Sequence, residues 1–479
     1  MKKDNRHQIF FLCAAFLTAS IFFVFLAGKA QAANCGGATV CNCGDTVTAS
    51  TTLTGNLTCT GHGLVVGANS ITVDGGNYTL TGDFDIDDYG INNAGGYDSI
   101  TVKNINITNF NEGIYFNYTT GSTIQNVTAN SNTLYGIYIL QSSSNTLTGN
   151  TVNSNSLWGI YLNGSSSNTL TNNSMSGNVG GNLYIYNLSS GDGGLNNTID
   201  TTNKVEGKSV YYFYNNDGTA QNPLVYDGDV LGDDIGMFWC IHCDYVQIKN
   251  AALSINNHTG IYFFDTTNST IQNVTANSNS LYGIYLYSSS SNTLTGNTTN
   301  FNINGIAVSD PNTLTNNTAN SNSNIGISIG GPSSTLTNNV VLNNRQDINV
   351  PVDEWGEYYD NTFSSNQFNH NMSNAMLTFT ETARTKNVND SVSFDVSMFN
   401  PNGSACSDCS YTVTASPSET ISSSQSGNQV TGNFTVTKSG TYSLIFTITD
   451  SNSNITKRNY LFFVGDTNSQ TTKYYLSYY

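Results

Sequence analysis

The phrase Gly-Ile-Tyr recurs at Gly113, Gly136 and Gly159, 23 residues apart each time. It returns at Gly260 and Gly283 with the same spacing, then decays to Gly305-Ile306-Ala307 and Gly326-Ile327-Ser328, at 22 and 21. A second phrase, Asn-Thr-Leu-Thr, falls between these at Asn145, Asn168, Asn292 and Asn312, and Ser334 heads the last copy. A fixed period near 22 means one supersecondary unit per repeat. No such unit can bury its apolar face alone, so neighbours must stack.

Each repeat holds short alternating segments, such as Ile137-Tyr138-Ile139 and Thr146-Leu147-Thr148, separated by Asn, Ser and Gly. Strands of three to five residues with turns between them give a three-sided coil. Asn suits the corners because it tolerates left-handed backbone angles, and its amide can stack on the Asn one coil away. A leucine-rich repeat would need a longer Leu consensus with a helical segment, and neither is present. The predicted fold is all-β: a right-handed parallel β-helix of about 22-residue coils, roughly 13 to 15 of them, followed by an immunoglobulin-like β-sandwich.

The flanks set the domain plan. Lys2, Lys3 and Arg6, the apolar run from Ile9 to Leu26 and the small-x-small end Ala30-Gln31-Ala32 predict a signal peptide over 1–32. A Cys-containing cap follows over 33–60, then the β-helix over 61–373. Beyond that the repeat stops. Alternating segments separated by turns such as Pro401-Asn402-Gly403 predict the sandwich over 374–466, with a tail over 467–479. The localisation expected is secreted or cell surface, periplasmic or extracellular. The formal net charge of −17 argues against nucleic acid, whose binding needs cations to release counterions. It argues equally against an anionic membrane surface, so no membrane contact is expected beyond the signal segment.

Cys13 falls in the signal, which leaves eight cysteines. They cluster as Cys35, Cys41, Cys43 and Cys59, then Cys240 and Cys243, then Cys406 and Cys409. An even, clustered set in an exported chain predicts local disulfides. The run from Asn203-Lys204-Val205-Glu206-Gly207-Lys208 to Tyr211-Tyr212, with the coil from Asp234 through Trp239, Cys240 and His242 to Asn250, resembles the NosD-type family of parallel β-helix repeat proteins. The resemblance covers most of 60–350. It implies the β-helix fold and adds a copper accessory role as one reading of function.

Four constellations are candidates for chemistry. The first is a row of tyrosines. If Ile137 and Ile139 face in, Tyr138 faces out, and the same alternation exposes Tyr115, Tyr161, Tyr262 and Tyr285. Tyr135, Trp158 and Tyr282 stand beside the row, just before the glycines. Coils about 4.8 Å apart come close to the repeat of a sugar chain, so a polysaccharide or cell-surface glycan could stack on such rings. A self-supporting aromatic ladder is the competing reading.

The second is Asp83, Asp85 and Asp87, with Asp88. On a strand with Phe84 and Ile86 pointing in, the first three carboxylates share the outer face, where calcium would be the cofactor. Otherwise no metal or cofactor is expected. The third is Gly232-Asp233-Asp234 ahead of His258, superficially similar to polygalacturonases, where paired carboxylates serve as acid and base. Asp233, Asp234 and His258 would be catalytic in that case. The fourth is Cys240-Ile241-His242-Cys243, which offers copper ligands or, more simply, a disulfide.

Two function classes follow. The leading one is a non-enzymatic exported surface protein, structural or glycan-binding through the tyrosine row. The alternative is a polysaccharide-degrading enzyme, hydrolase or lyase, on the same coil. The copper accessory role stands third.

Overall fold

A computed structural model describes residues 33–186, 193–232, 235–253, 255–331, 333–349, 362–364, 367–368, 385–398, 405–449 and 455–465. The expected signal segment 1–32, Asp233, Asp234 and the expected tail 467–479 lie outside the described residues. The chain is a parallel β-solenoid of about 13 turns. Helix among the described residues is confined to the single turn Gly228–Leu231. None is long and apolar enough to cross a membrane.

One coil shows why the repeat has its sequence. Tyr135–Leu140, Thr146–Thr148 and Thr151–Asn153 form its three sides. They pair in parallel with Trp158–Asn163, Thr169–Thr171 and Ser174–Ser176 of the next coil. Ile137, Ile139, Leu147 and Val152 are fully buried and stack on Ile160, Leu162, Leu170 and Met175. Gly136 is glycine because a Cβ there would lie 2.1 Å from Val152 Cγ1 and 2.8 Å from Asn155 Nδ2.

The asparagines do more than turn the chain. Asn155 is completely buried. Its Nδ2 donates to the Ala129 carbonyl at 3.0 Å and to Asn178 Oδ1 at 2.9 Å, and its Oδ1 accepts from the Asn132 backbone and side-chain N–H groups at 2.9 and 3.0 Å. Asn145 with Asn168 and Asn150 with Asn173 repeat this at the other corners. The left-handed residue at each of these corners is the one before, Ser144, Gly149 or Ser154. The ladder asparagines therefore face inward and satisfy backbone groups that the bends leave open. Left-handed tolerance belongs to their neighbours.

Parallel pairing starts earlier than the expected boundary at 61. Asn34–Cys35, Thr46–Val47 and Leu64–Val66 already belong to the same sheet as the later coils. Disulfides Cys35–Cys41 and Cys43–Cys59 close this end.

The solenoid is not one uninterrupted rod. Lys204–Val205 ends the first stack and pairs antiparallel with Lys208–Tyr214, which opens the second. The two-residue turn between them is Glu206-Gly207, at φ 49° and 82°. Two successive positive φ angles are what a type I′ hairpin demands, and glycine is favoured at its second position. This hairpin lies within the Asn203–Tyr212 phrase. Strand direction reverses there while stacking continues.

The reversal places a core on each face of the shared sheet. All of Ile235–Ile241 is buried. Met237, Trp239 and Ile241 join the core of the first stack, and Ile235, Phe238 and Cys240 join that of the second. The second stack therefore lies on the opposite face of the sheet from the first, and the solenoid is stepped sideways at the join. Nothing approaches the position of a Gly207 Cβ, so substitutions there report on backbone strain alone. Gly207→Val is expected to lower the unfolding free energy by about 1–3 kcal/mol. Gly207→Asn, which tolerates the left-handed region, is expected to cost much less. Urea unfolding curves of the two variants check this.

Beyond the solenoid stand two small sheets. Thr385–Asn387, Ile455–Gly465, Gly440–Thr449 and Ser410–Ser416 form one, and Ser391–Ser397, Gln429–Thr435 and Ser422–Ser426 the other. Their pairing is antiparallel except where Thr385–Asn387 meets Ile455–Gly465. Phe394 of one packs edge-on against Phe446 of the other at 5.2 Å, within one shared cluster. Cys406 and Cys409 are bonded to each other and do not bridge the sheets.

Candidate functional site

The first stack carries a continuous column of rings on its outer face. Tyr115, Tyr138, Tyr161 and Tyr184 occupy one register position in successive coils. Centroid separations are 4.9 Å from Tyr89 to Tyr115, 5.4 Å to Tyr138, 4.9 Å to Tyr161 and 5.3 Å to Tyr184. His62 stacks on Tyr89 at one end, at 5.2 Å, and His258 on Tyr184 at the other, at 3.8 Å. Beside this column Tyr135 stacks on Trp158 at 5.4 Å with planes 4° apart.

This arrangement corrects how the row was expected to work. Parallel rings about one coil apart present their faces to each other, so the faces are not offered to a sugar. What the wall turns outward is ring edges and phenol hydroxyls. Tyr115, Tyr135, Tyr138 and Trp158 are half-buried, whereas Tyr161, sandwiched between Tyr138 and Tyr184, is only 7% exposed. Burial pushes the phenols up, Tyr89 and Tyr135 to about 12, so all stay protonated donors at neutral pH.

The other three expected wall residues join from the second stack. The Asn182 N–H donates to the Asn256 carbonyl at 3.1 Å, and Ser280 Oγ donates to the Gly180 carbonyl. These contacts bring His258 onto Tyr184, and Tyr262, Tyr282 and Tyr285 near enough to Tyr184 to interact electrostatically. Residues 74 to 100 positions apart thus meet at the inner corner of the step. Trp239 is in register with Tyr262 but is 2% exposed, plugging the end of the first core.

One residue escaped the sequence reading. Glu112 pairs in register with Tyr89 on one side and Tyr135 on the other. It is 5% exposed, and its Oε2 has no hydrogen-bond partner. Burial is the main cause that pushes its carboxyl up to about 7; an Asn111 hydrogen bond lowers it and the Asp87 charge raises it. A signal existed in the residue before each coil glycine, which reads Tyr89, Glu112, Tyr135, Trp158. One acid interrupts an aromatic series.

The acidic residues near this end are brought together in an unexpected way. Phe84 and Ile86 do not point in: they are 56% and 78% exposed. Residues 82–88 form a loop with no strand pairing, and Phe84 and Asp87 hold φ 67° and 70°. The expected strand alternation is therefore absent from this segment. The loop instead gathers carboxylate oxygens of Asp83, Asp85 and Asp88 within 4.8 Å of one another, while Asp87 stands outside that group. His62 Nδ1 lies 3.4 Å from Asp88.

Of the proposed catalytic trio, Asp233 and Asp234 lie outside the described residues. His258 is pushed down to about 4 by burial, so its imidazole is neutral at neutral pH and cannot serve there as a ready proton donor. Cys240 and Cys243 are bonded and almost fully buried, and His242 Nδ1 lies 2.8 Å from Asp265.

Residues 195–394 match the family model described as "Periplasmic copper-binding protein (NosD)". Residues 36–203 and 89–234 match the model described as "Right handed beta helix region". No curated protein matches the chain. Among solved structures it is similar to the A-module of mannuronan C-5 epimerase from Azotobacter vinelandii, at 13% identity over 71% of this chain and 88% of that one, TM-score 0.32. It is also similar to the catalytic domain of a GH87 α-1,3-glucanase, at 13% identity over 67% and 64%, TM-score 0.26. A third is a tailspike protein of E. coli bacteriophage HK620, at 11% identity over 88% and 82%, TM-score 0.25.

The donor set of the described residues does not fit copper. Among the described residues every cysteine sulfur is in a disulfide. Their groups of three or more His, Cys, Asp or Glu ligand atoms are Asp83/Asp85/Asp88 and Cys406/Asp408/Cys409, and neither includes the imidazole that copper favours.

Proposed function

We propose that this NosD-type parallel β-helix repeat protein acts outside the cytoplasm as a glycan-binding solenoid, with the aromatic wall of the first stack as its contact surface. The carrying observation is the wall itself: half-buried Tyr115, Tyr135, Tyr138 and Trp158, spaced by the coil repeat, turning hydroxyls and ring edges outward. A sugar chain lying along it would meet equivalent phenols in the two successive coils that carry Tyr115 and Tyr138. Four disulfides and the periplasmic description of the matching family model support a periplasmic or extracellular location. In this reading the two C-terminal sheets are an immunoglobulin-like module that spaces or attaches the solenoid. Calcium at Asp83, Asp85 and Asp88 is an accessory: three carboxylates supply only part of the six to eight oxygens calcium takes.

Affinity electrophoresis through gels cast with neutral, acidic or basic polysaccharides tests the wall. At least one polymer is expected to retard the protein, and a Tyr115→Ala/Tyr138→Ala variant is expected to lose about tenfold or more in affinity, as loss of central aromatic contacts usually does. Unchanged retardation of the folded variant would remove the wall from the account. New reducing ends or unsaturated products in the same incubations would replace a binding protein with a glycan-cleaving enzyme.

A further inference from the structure

The glycan reading leaves the class of sugar open, and the electrostatics of the first stack narrow it. Between Ala33 and Val205, the end of the first stack, the chain has two lysines, no arginine, nine aspartates and one glutamate. Lys103 is held by Asp74 at 3.3 Å, and Lys204 Nζ donates to Ser209 Oγ at 2.7 Å. The wall therefore offers a uronate or sulfated polymer no cation to neutralise it, and it repels such polymers. Neutral sugars would find phenols and amides, but they would leave Glu112 unexplained.

Glu112 sits in the middle of the wall with Tyr89 from the coil before, Tyr115 from its own strand and Tyr135 and Tyr138 from the coil after. Asp87 faces it from the 82–88 loop, and Asn111 supplies its one hydrogen bond. One carboxyl oxygen remains unpartnered. Buried carboxyl oxygens are ordinarily satisfied, and an open acceptor walled by phenols is suited to a charged N–H donor. The aspartates of the neighbouring loop add negative potential at the same end.

Resting on the glycan reading, we infer that the sugar chain taken by this wall carries free ammonium groups, and that Glu112 is the acceptor that reads them. The class is an un-acetylated amino-sugar polymer. The rings an ammonium would pass to reach Glu112 are those of Tyr115, Tyr135 and Tyr138, each half-buried.

The test is calorimetry of the purified protein, at about pH 6.5, where the sugar amines are charged, and at about pH 7.5, where the Glu112 carboxyl, pushed up to about 7, is mostly ionised, with a glucosamine hexamer, its fully N-acetylated counterpart and a galacturonate hexamer, each with calcium and with chelator. The glucosamine hexamer is expected to bind at least about tenfold tighter than the acetylated one, which is one well-placed charge contact in free-energy terms. The galacturonate hexamer is expected not to bind. Glu112→Gln, which keeps the size and shape of the side chain and removes its charge, is expected to abolish the tenfold preference by weakening binding of the glucosamine hexamer. Equal affinity for the two hexamers, a preference that survives Glu112→Gln, or calcium-dependent galacturonate binding overturns the ammonium inference while leaving a glycan-binding wall. No binding by any hexamer, from protein folded by circular dichroism, overturns both.

Discussion

Replacing Asn155 with alanine is expected to destabilise the first stack by on the order of 4 kcal/mol, an unusually large effect for one polar residue. The side chain serves three coils at once. It donates to Ala129 below and Asn178 above, and accepts from the backbone and the side chain of Asn132. Truncation removes the partner of the two Asn132 N–H groups and one donor to the Ala129 carbonyl in a fully buried corner, where each orphaned group costs about 1–3 kcal/mol; Asn178 Oδ1 keeps only the backbone N–H of residue 155. Asn155→Asp should be as harmful near neutral pH, because it puts a carboxylate against Asn178 Oδ1 and the Ala129 carbonyl. Urea unfolding measures both. Asn126, left-handed and exposed, is the control: Asn126→Gly should change stability little.

Glu112→Gln is expected to change how stability depends on pH. Burial holds the folded carboxyl near 7, above its ordinary 4.5. Between those values the folded state keeps a proton that the unfolded state has released. Stability from this group is therefore fully present below about pH 4.5 and is lost as pH rises to 7. The loss amounts to roughly 3 kcal/mol. The variant lacks this slope, so it should be the more stable protein at pH 8 and gain nothing there on acidification. Midpoints of unfolding at pH 5 and pH 8 for the two proteins decide it. If the native protein is equally stable at both, Glu112 is not held as a buried carboxyl.

Both residues show what was readable and what was not. The ladder asparagines announce themselves in the sequence because Asn145, Asn168 and their equivalents recur at the coil period. Glu112 recurs nowhere. Its meaning depends on rings contributed by the coils before and after it, and only stacking brings those into contact. The loop at 82–88 failed for a related reason. Alternating Asp, Phe and Ile suggests a strand, but the segment forms no strand ladder and meets the next coil only through isolated backbone bonds such as Phe84 N–H to the Asn109 carbonyl, so Phe84 and Ile86 turn outward and three carboxylates converge.

The sequence by itself determined the coil: its length, its three sides, its inward Ile, Leu and Val, its glycines and its Asn corners. These are local choices repeated at one period, and each repeat votes for the same geometry. Tertiary structure alone decided the rest. The step at Glu206-Gly207, the shared sheet with a core on each face, the meeting of Tyr184 with His258 and the stacking of the tyrosine faces on one another all depend on contacts between residues far apart in the chain. A period describes what successive coils have in common, and it carries no information about the one place where they turn over.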